Sequence, residues 1–180
     1  MRRSPHHMYF AVLARLRVQR HRWRRGLSLG PGVRLGRGVV FAIGQGGQIR
    51  VGARCEIGNG TILQANGGRI LVEDDVFISG NCLFVSTLGI RIGKESMIAE
   101  HVTIRDHDHD PDTPPRMGIL LAEEVSIGER CWLGSRSSVL RRGRLGDDGI
   151  LGAHALLCRE IPPKTLAAGV PATVRRRLQR

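Results

Sequence analysis

Aliphatic residues recur at every sixth position along most of the chain, and a small or acidic residue often follows each of them. Six residues match neither the 3.6-residue period of a helix nor the strict alternation of a long strand. The pattern predicts one short strand and one turn per unit. The units start at Val51, Ile57, Leu63, Val72, Ile78, Phe84, Ile92, Ile98, Ile104, Ile127, Leu133, Val139, Leu145, Leu151 and Leu157.

The fifth position of most units is also small or aliphatic, so we expect it to face the interior together with the first. Three units would complete one triangular coil, and stacked coils would bury a continuous aliphatic column. The sequence therefore predicts an all-β fold, a parallel β-helix, over residues 26–174. These fifth positions are Cys55, Thr61, Val76, Cys82, Ser96, Val102, Cys131, Ser137 and Ala155.

Residues 1–25 show a different pattern, which predicts a short basic amphipathic helix before the repeats. Its apolar face consists of Tyr9, Val12, Leu13, Leu16 and Trp23. Such a helix can cap the end of a repeat stack. Alternatively, it can lie on an anionic membrane surface, remain solvated or contact a phosphate-bearing substrate.

The charge is distributed unevenly along the 180 residues, whose net charge is +12. No acidic residue precedes Glu56, whereas twelve of the 28 basic residues do; the remaining 16 are matched by 16 acidic residues. The excess thus lies in the N-terminal segment, with a smaller basic tail at residues 175–180. Since the repeats themselves are balanced, we expect no nucleic-acid partner.

The four cysteines stand far apart without a CxxC pair, so we expect reduced thiols in a cytoplasmic protein. We expect no signal peptide and no membrane span, because no apolar run is long enough. Peripheral contact with the inner membrane surface through residues 1–25 is the alternative localisation.

The repeats pause after IRDHDH, which starts at Ile104, and a polar, Pro-rich excursion covers residues 105–124. They resume with IGERCWLGSRSSV from Ile127, and the chain closes with IPPKTLAAGVPATVRR from Ile161. These features resemble the hexapeptide-repeat acyltransferase superfamily, in the branch of maltose, galactoside and polysaccharide O-acetyltransferases. The resemblance implies a left-handed β-helix, an exception to the usual right-handed crossover.

The resemblance also implies a reaction, in which acetyl-CoA donates an acetyl group to a hydroxyl of a sugar or cell-surface glycan precursor. A histidine base would remove the hydroxyl proton. The position at which the family has this base corresponds to His109 here. His107 is the second candidate, because it would lie on the same side of an extended segment. Asp106, Asp108 or Asp110 would orient the imidazole, or else would only form turns.

The resemblance also implies which residues form the acetyl-CoA groove, position by position. The side chain of Trp132 would form one side of the active site next to the acetyl group. Ser135 would lie near the pantetheine arm, and the backbone of Gly152 and Ala153 would bind that arm. Basic residues at Arg159 and Arg176 would hold the phosphates. His154 and Cys158 depart from the residues that the family often has there. The family's site lies between subunits of a trimer, so we expect a homotrimer.

Three other interpretations remain open. The first is a metal site like that of the carbonic anhydrase branch, which uses three histidines on neighbouring coils. His101, His107 and His109 lie close in sequence, but the later repeats offer only His154, so we expect no metal. The second is an N-acyltransferase for an amino-sugar nucleotide. The third is a non-catalytic repeat scaffold, since a fold does not fix a function.

Overall fold

The computed structural model describes residues 25–179, and all of the predicted N-terminal helix except its last residue, Arg25, therefore lies outside the described residues. Within this range the chain is built from short strands and one 3-10 turn, Pro115–Met117. The strands in chain order are β1 Leu27–Leu29, β2 Arg34–Leu35, β3 Val40–Gly44, β4 Gln48–Val51, β5 Glu56–Ile57, β6 Ile62–Asn66, β7 Arg69–Val72, β8 Phe77–Ile78, β9 Leu83–Ser86, β10 Gly89–Ile92, β11 Met97–Ile98, β12 Thr103–Arg105, β13 His107–His109, β14 Leu120–Ala122, β15 Val125–Ile127, β16 Trp132–Leu133, β17 Ser138–Val139, β18 Arg144–Leu145, β19 Ile150–Leu151, β20 Leu156–Leu157, β21 Glu160–Ile161, β22 Thr165–Ala168 and β23 Thr173–Arg177.

The strands form the three faces of a prism. Sheet I has the order β1-β4-β7-β10-β15-β18-β21, sheet II has β2-β5-β8-β11-β16-β19-β22-β23, and sheet III has β3-β6-β9-β12-β17-β20. Successive strands along the chain visit the sheets in turn, and neighbours within each sheet are parallel apart from the antiparallel pair β22 and β23. Six coils contribute a strand to all three sheets. The predicted all-β parallel β-helix is confirmed.

The interior is the aliphatic column that the repeats predict. All fifteen first-position residues are buried, none more than 2% exposed, and all nine fifth-position residues are at most 1% exposed. Two of the three polar members of the second set bond to the neighbouring coil: Thr61 Oγ1 donates to the carbonyl of Ser79 at 2.9 Å, and Ser96 Oγ to that of Gly128 at 2.9 Å. The hydroxyl of the third, Ser137, is buried without a hydrogen-bond partner among residues 25–179. The buried hydroxyls of Thr61 and Ser96 are tolerated there because they are hydrogen-bonded.

The small residue that often follows the aliphatic one is explained by the close stacking of coils. At Gly134, a Cβ atom would lie 2.5 Å from the backbone nitrogen of Ala153 in the next coil. That separation is well inside van der Waals contact, so a larger residue would push the coils apart. The corners between sheets are tight turns with positive φ at residues such as His101 (60°) and Arg136 (58°).

The excursion leaves the corner between sheets III and I after β12 and returns at β15. Within it, β13 and β14 pair antiparallel, with His107 opposite Ala122 and His109 opposite Leu120. At the other end of the chain, β23 folds back antiparallel on β22, which puts Arg176 opposite Leu166. Residues 173–177, which include the start of the predicted basic tail, thus form an edge strand of sheet II.

Candidate active site

Asp106, the residue that directly follows β12, is fully buried at the corner between sheets III and I. Its carboxylate accepts a hydrogen bond from Ser86 Oγ at 2.7 Å and from the backbone N–H groups of residues 87–89 at 2.7–3.1 Å. Nδ1 of His107 lies 2.8 Å from Oδ1 of the same carboxylate. Residues 86–89 at the corner of one coil thus surround the carboxylate of Asp106, which belongs to the next coil, with hydrogen-bond donors. We call these donors the cradle.

The cradle determines the charge of Asp106. Burial opposes ionisation, but the hydrogen bonds from His107, Thr87, Ser86 and Leu88 outweigh it, and the pKa of the carboxyl is held below its ordinary value. Asp106 is therefore ionised at neutral pH. Because an ionised carboxylate can only accept hydrogen bonds, Nδ1 of His107 carries a hydrogen and donates the hydrogen bond to Asp106. The tautomer of His107 follows from this contact.

His107 and His109 differ sharply in their surroundings. Both project from the same face of β13, because successive side chains of a strand alternate. The side chain of His107 is only 9% exposed and is tied to Asp106. His109 is exposed, and no hydrogen bond or ion pair of its side chain is found among residues 25–179. One imidazole is anchored and the other is accessible.

The three aspartates of the DHDHD segment have three different roles. Asp106 anchors His107, whereas Asp108 accepts from Arg141 Nε at 3.2 Å on the opposite face of β13. Asp110 forms a turn at the tip: its Oδ1 accepts from the backbone N–H of Asp112 at 3.0 Å. The orienting role weighed for all three in the sequence thus falls to Asp106, and it acts on His107.

Trp132 lies on the outer surface of sheet II and is 47% exposed. Its backbone is in register with Met97 on one side and Ile150 on the other, and Met97 is in register with Phe77. Met97 and Phe77 are 53% and 39% exposed. Sheet II therefore presents an outward row of three large apolar side chains that runs from Phe77 through Met97 to Trp132.

Ser135, Gly152 and Ala153 follow Trp132 along the corner between sheets II and III. Hydrogen bonds join their coils here: the N–H of Gly134 donates to Leu151, and the N–H of His154 to Ser135. The hydroxyl of Ser135 also bonds to Glu100 of the preceding coil and holds the pKa of that carboxyl below its usual range. Four of the six predicted cofactor residues are thus neighbours along one edge of the prism.

The other two predicted cofactor residues lie apart from that edge. Arg159 occupies the corner between sheets III and I, where its carbonyl accepts from the N–H of Arg144. Arg176 is exposed in β23. The excursion with His109 also starts from the III–I corner. Within one chain, sheet III separates Trp132 and Ser135 from His109, so the predicted site is divided between two corners.

Several residues of this region were not singled out by the sequence. Arg141 donates from Nη1 to Glu123 at 3.1 Å, and Arg142 Nε donates to the same carboxylate at 2.6 Å. Ser86 and Glu100 were missed as well. These residues carry no repeat signal, because their partners are 18 to 35 positions away and come close only through coil stacking.

Within the described range, no group of three or more His, Cys, Asp or Glu side chains is arranged to hold a metal ion. The same range contains no helix of the length and hydropathy needed to cross a membrane.

Comparison with known proteins identifies the family. Residues 124–153 match the family described as hexapeptide repeat of succinyl-transferase. The chain is 34% identical over 139 residues to WbbJ of Escherichia coli (strain K12), which carries the name of a lipopolysaccharide biosynthesis O-acetyl transferase; the match covers 71% of each. This chain belongs to the hexapeptide-repeat acyltransferases. The galactoside O-acetyltransferase of the same organism is 28% identical over 113 residues, which are 62% of this chain and 56% of that one.

Solved hexapeptide-repeat acyltransferases have the same fold. A variant of the N-acyltransferase AntD from Bacillus cereus, in complex with dTDP-4-amino-4,6-dideoxyglucose and coenzyme A, superposes with a TM-score of 0.76 at 16% identity, over 92% of this chain and 90% of that one. The maltose O-acetyltransferase of Clostridium difficile 630 gives 0.63 at 21%, over 96% and 86%. The fold is the left-handed parallel β-helix that the resemblance implies.

Proposed function

We propose that this acyltransferase moves an acetyl group from acetyl-CoA to a hydroxyl of a sugar in a cell-surface glycan precursor. The observation that carries the proposal is the 34% identity to WbbJ across 71% of both chains, since that relative is named for O-acetyl transfer in lipopolysaccharide biosynthesis. The thioester supplies an activated acyl group. The protein then has to bind the two substrates side by side and remove one proton.

His109 is the proposed general base, with His107 as the second candidate. A base has to contact the acceptor hydroxyl, and His109 is exposed while the side chain of His107 is 9% exposed. His107 holds the inner end of β13 through Asp106 and so fixes the strand that carries His109. In the direct transfer, the hydroxyl oxygen attacks the thioester carbonyl, its proton passes to His109, and the thiolate of coenzyme A leaves and takes up a proton.

Acetyl-CoA is proposed to lie along the corner between sheets II and III. Trp132 would flank the acetyl end, and Ser135 and the backbone of Gly152 and Ala153 would contact the pantetheine arm. Arg176 would contact the phosphates, and Arg159, which lies at the III–I corner, would contact them from a neighbouring subunit of the trimer proposed below. The exposure of the Trp132 ring supports a wall role over a purely internal packing role. Arginine suits the phosphates because its planar fork donates two parallel hydrogen bonds.

A homotrimer is proposed on the same grounds. Within one chain, sheet III separates His109 from Trp132 and Ser135, so a cyclic neighbour is needed to bring the two halves together. The apolar row of Phe77, Met97 and Trp132 supplies a surface for such a contact. Sedimentation equilibrium should give three times the chain mass, and a monomer that is fully active would contradict this part of the proposal.

The test of the base compares wild type, His109→Ala and His107→Ala. Release of the thiol from acetyl-CoA is followed with a panel of sugar acceptors, with acceptor-free hydrolysis subtracted. We expect His109→Ala to lower acceptor-dependent kcat by about 10²–10⁴-fold with little change in the KM for acetyl-CoA. A His109→Ala enzyme with wild-type turnover would overturn the assignment, and loss confined to His107→Ala would transfer the role to His107.

An amino sugar is the second candidate acceptor, because the AntD neighbour was solved with an amino-sugar nucleotide. Matched hydroxyl and amino forms of the same sugar distinguish the two. A higher kcat/KM for the amine would replace O-acetylation by N-acetylation. Absence of coenzyme A binding in calorimetry would leave only the non-catalytic scaffold.

Peripheral membrane contact through residues 1–25 is proposed from the sequence alone, since eight of these residues are arginine and none is acidic. Liposomes with anionic lipid should pellet the full chain at low salt and release it at high salt, whereas liposomes without anionic lipid should not pellet it. A chain that lacks residues 1–25 is the control. Equal pelleting of both chains would contradict the proposal.

A further inference from the structure

Strand β13 has two faces with different contacts. His107 and His109 project from one face, and Asp108, between them, projects from the other. The end of β13 nearer the β-helix, here called the inner end, carries His107 and is fixed on the histidine face by the hydrogen bond of His107 to Asp106. The outer end carries His109, whose side chain has no hydrogen bond within residues 25–179. This end is paired through its backbone with β14, which belongs to the same excursion, so a contact on the Asp108 face is what attaches it to the β-helix.

Arg141 makes that contact. It lies in the III–I corner of the coil that follows the excursion, just after β17. Its Nε donates to Oδ2 of Asp108 at 3.2 Å and its Nη1 to Oε1 of Glu123 at 3.1 Å. Its side chain is only 21% exposed. One guanidinium thus joins β13, the residue after β14 and the wall of the β-helix.

Glu123 completes the attachment of the excursion. Its backbone N–H donates to the carbonyl of Asp106 at 2.9 Å, so the two ends of the excursion are also bonded to each other. A planar fork can hold two carboxylates in fixed relative positions, whereas an ammonium acts as a point charge. The carboxylates of Asp108 and Glu123 are about half exposed, at 45% and 46%. The contact is accordingly weak as a source of stability but well defined in geometry.

We propose that Arg141 is a positioning residue for acetyl transfer, which acts by holding the outer end of β13 and with it the imidazole of His109. The inference rests on the proposed function, because it assumes that His109 receives the acceptor proton. Misplacing a catalytic group by about 1 Å can cost about 10²-fold in rate. A loosened β13 therefore lowers kcat without removing any group that touches a substrate.

Arg142 is a matched control supplied by the chain itself. It is the next residue in the same corner, and it bonds to Glu123 but not to Asp108. Its side chain is 61% exposed. Arg141→Met and Arg142→Met therefore make the same chemical change at adjacent positions, and only the first removes the contact with β13.

The first measurement is hydrogen exchange of the peptide that contains β13 and β14, followed by mass spectrometry. We expect exchange at least about threefold faster in Arg141→Met and unchanged in Arg142→Met, while peptides from β15 to β17 remain as in wild type. This readout does not depend on catalysis. Equal exchange in both variants would show that the contact of Arg141 with Asp108 does not hold β13. Faster exchange throughout the coils would indicate a general structural role of Arg141 instead.

The second measurement is steady-state kinetics. Arg141→Met should lower kcat by about 10–100-fold with a KM for acetyl-CoA within about twofold of wild type. The kcat of Arg141→Lys should lie between those of wild type and Arg141→Met, and the kcat of Arg142→Met should stay within about twofold of wild type. Asp108→Asn should reproduce the loss, and its combination with Arg141→Met should add little because both remove one contact. Additive losses, or a wild-type kcat in Arg141→Met, would contradict the proposal.

The two measurements separate failure of the inference from failure of the proposed function. If His109→Ala retains wild-type turnover, the base assignment is wrong, whatever the exchange data show. If His109→Ala is inactive and Arg141→Met is as active as Arg142→Met, the base stands and the positioning role of Arg141 is refuted.

Discussion

The repeat coils and the excursion are both built mainly of short strands, but they are held together by different forces. In the coils, every first-position aliphatic residue is at most 2% exposed. In the excursion, the large apolar side chains lie on the outside, among them Met117 at 62% and Ile119 at 43%. Its ordered contacts are instead polar, namely the cradle around Asp106 and the ion pairs of Arg141.

The difference shows how a rigid scaffold can carry a polar site. Burial of an aliphatic side chain is non-directional, so many sequences with the right period form the same coil. Hydrogen bonds and ion pairs are directional and fix particular atoms, which is what an imidazole needs for proton transfer. The coils supply the stability, and the excursion uses a few directional contacts to place its histidines.

The largest expected effect comes from a core residue of a coil. Ile98→Ala should lower the free energy of unfolding by about 2–5 kcal/mol, because Ile98 is fully buried and the cavity cannot collapse. Urea denaturation measures this. Its control is Val40→Ala in β3, a side chain that is 43% exposed and whose change should alter stability by less than about 0.5 kcal/mol. Equal effects of both changes would contradict the aliphatic column.

The next effect comes from the cradle of the excursion. Asp106→Asn replaces an acceptor oxygen by an NH₂ group that faces N–H donors, and it should cost about 1–3 kcal/mol. Activity should fall with it, since His107 loses its anchor. Asp112→Asn is the same change at an exposed position of the excursion and should be silent. A stable and fully active Asp106→Asn enzyme would show that the cradle is dispensable.

The pH dependence follows from the lowered pKa of Asp106. Because the folded pKa lies below the unfolded value of about 3.9, the stabilisation is fully present above that value and is lost as pH falls through the folded pKa. The difference in unfolding free energy between wild type and Asp106→Asn should therefore be constant from pH 7 to pH 5 and shrink below about pH 4. A difference that grows on acidification would have the wrong sign.

The smallest effect is expected at the apolar surface of the excursion. Met117→Ser should change the unfolding free energy by less than about 0.5 kcal/mol, because this side chain is 62% exposed in the chain. A loss as large as that of Ile98→Ala would mean that the excursion is held by apolar burial after all, and the contrast between the two regions would disappear.

The sequence predicted part of the site and could not predict the rest. The segment DHDHD indicated a pair of histidines on one side of a strand, which β13 confirms. It could not tell which aspartate anchors which imidazole. That choice depends on Ser86, which lies 20 positions before Asp106 and reaches it only because one coil stacks on the next. Arg141, 33 positions after Asp108, was missed for the same reason.

The sequence by itself determined the coil, because the period of six is a local property that repeats and each unit adds the same burial. It also determined the excursion, since the period stops after Ile104 and resumes at Ile127. Only the tertiary structure decided that Asp106 anchors His107, that His109 stays accessible and that Trp132 and Ser135 lie across sheet III from His109. Those outcomes depend on which corners of successive coils meet, and contacts between stacked corners leave no periodic trace in the chain.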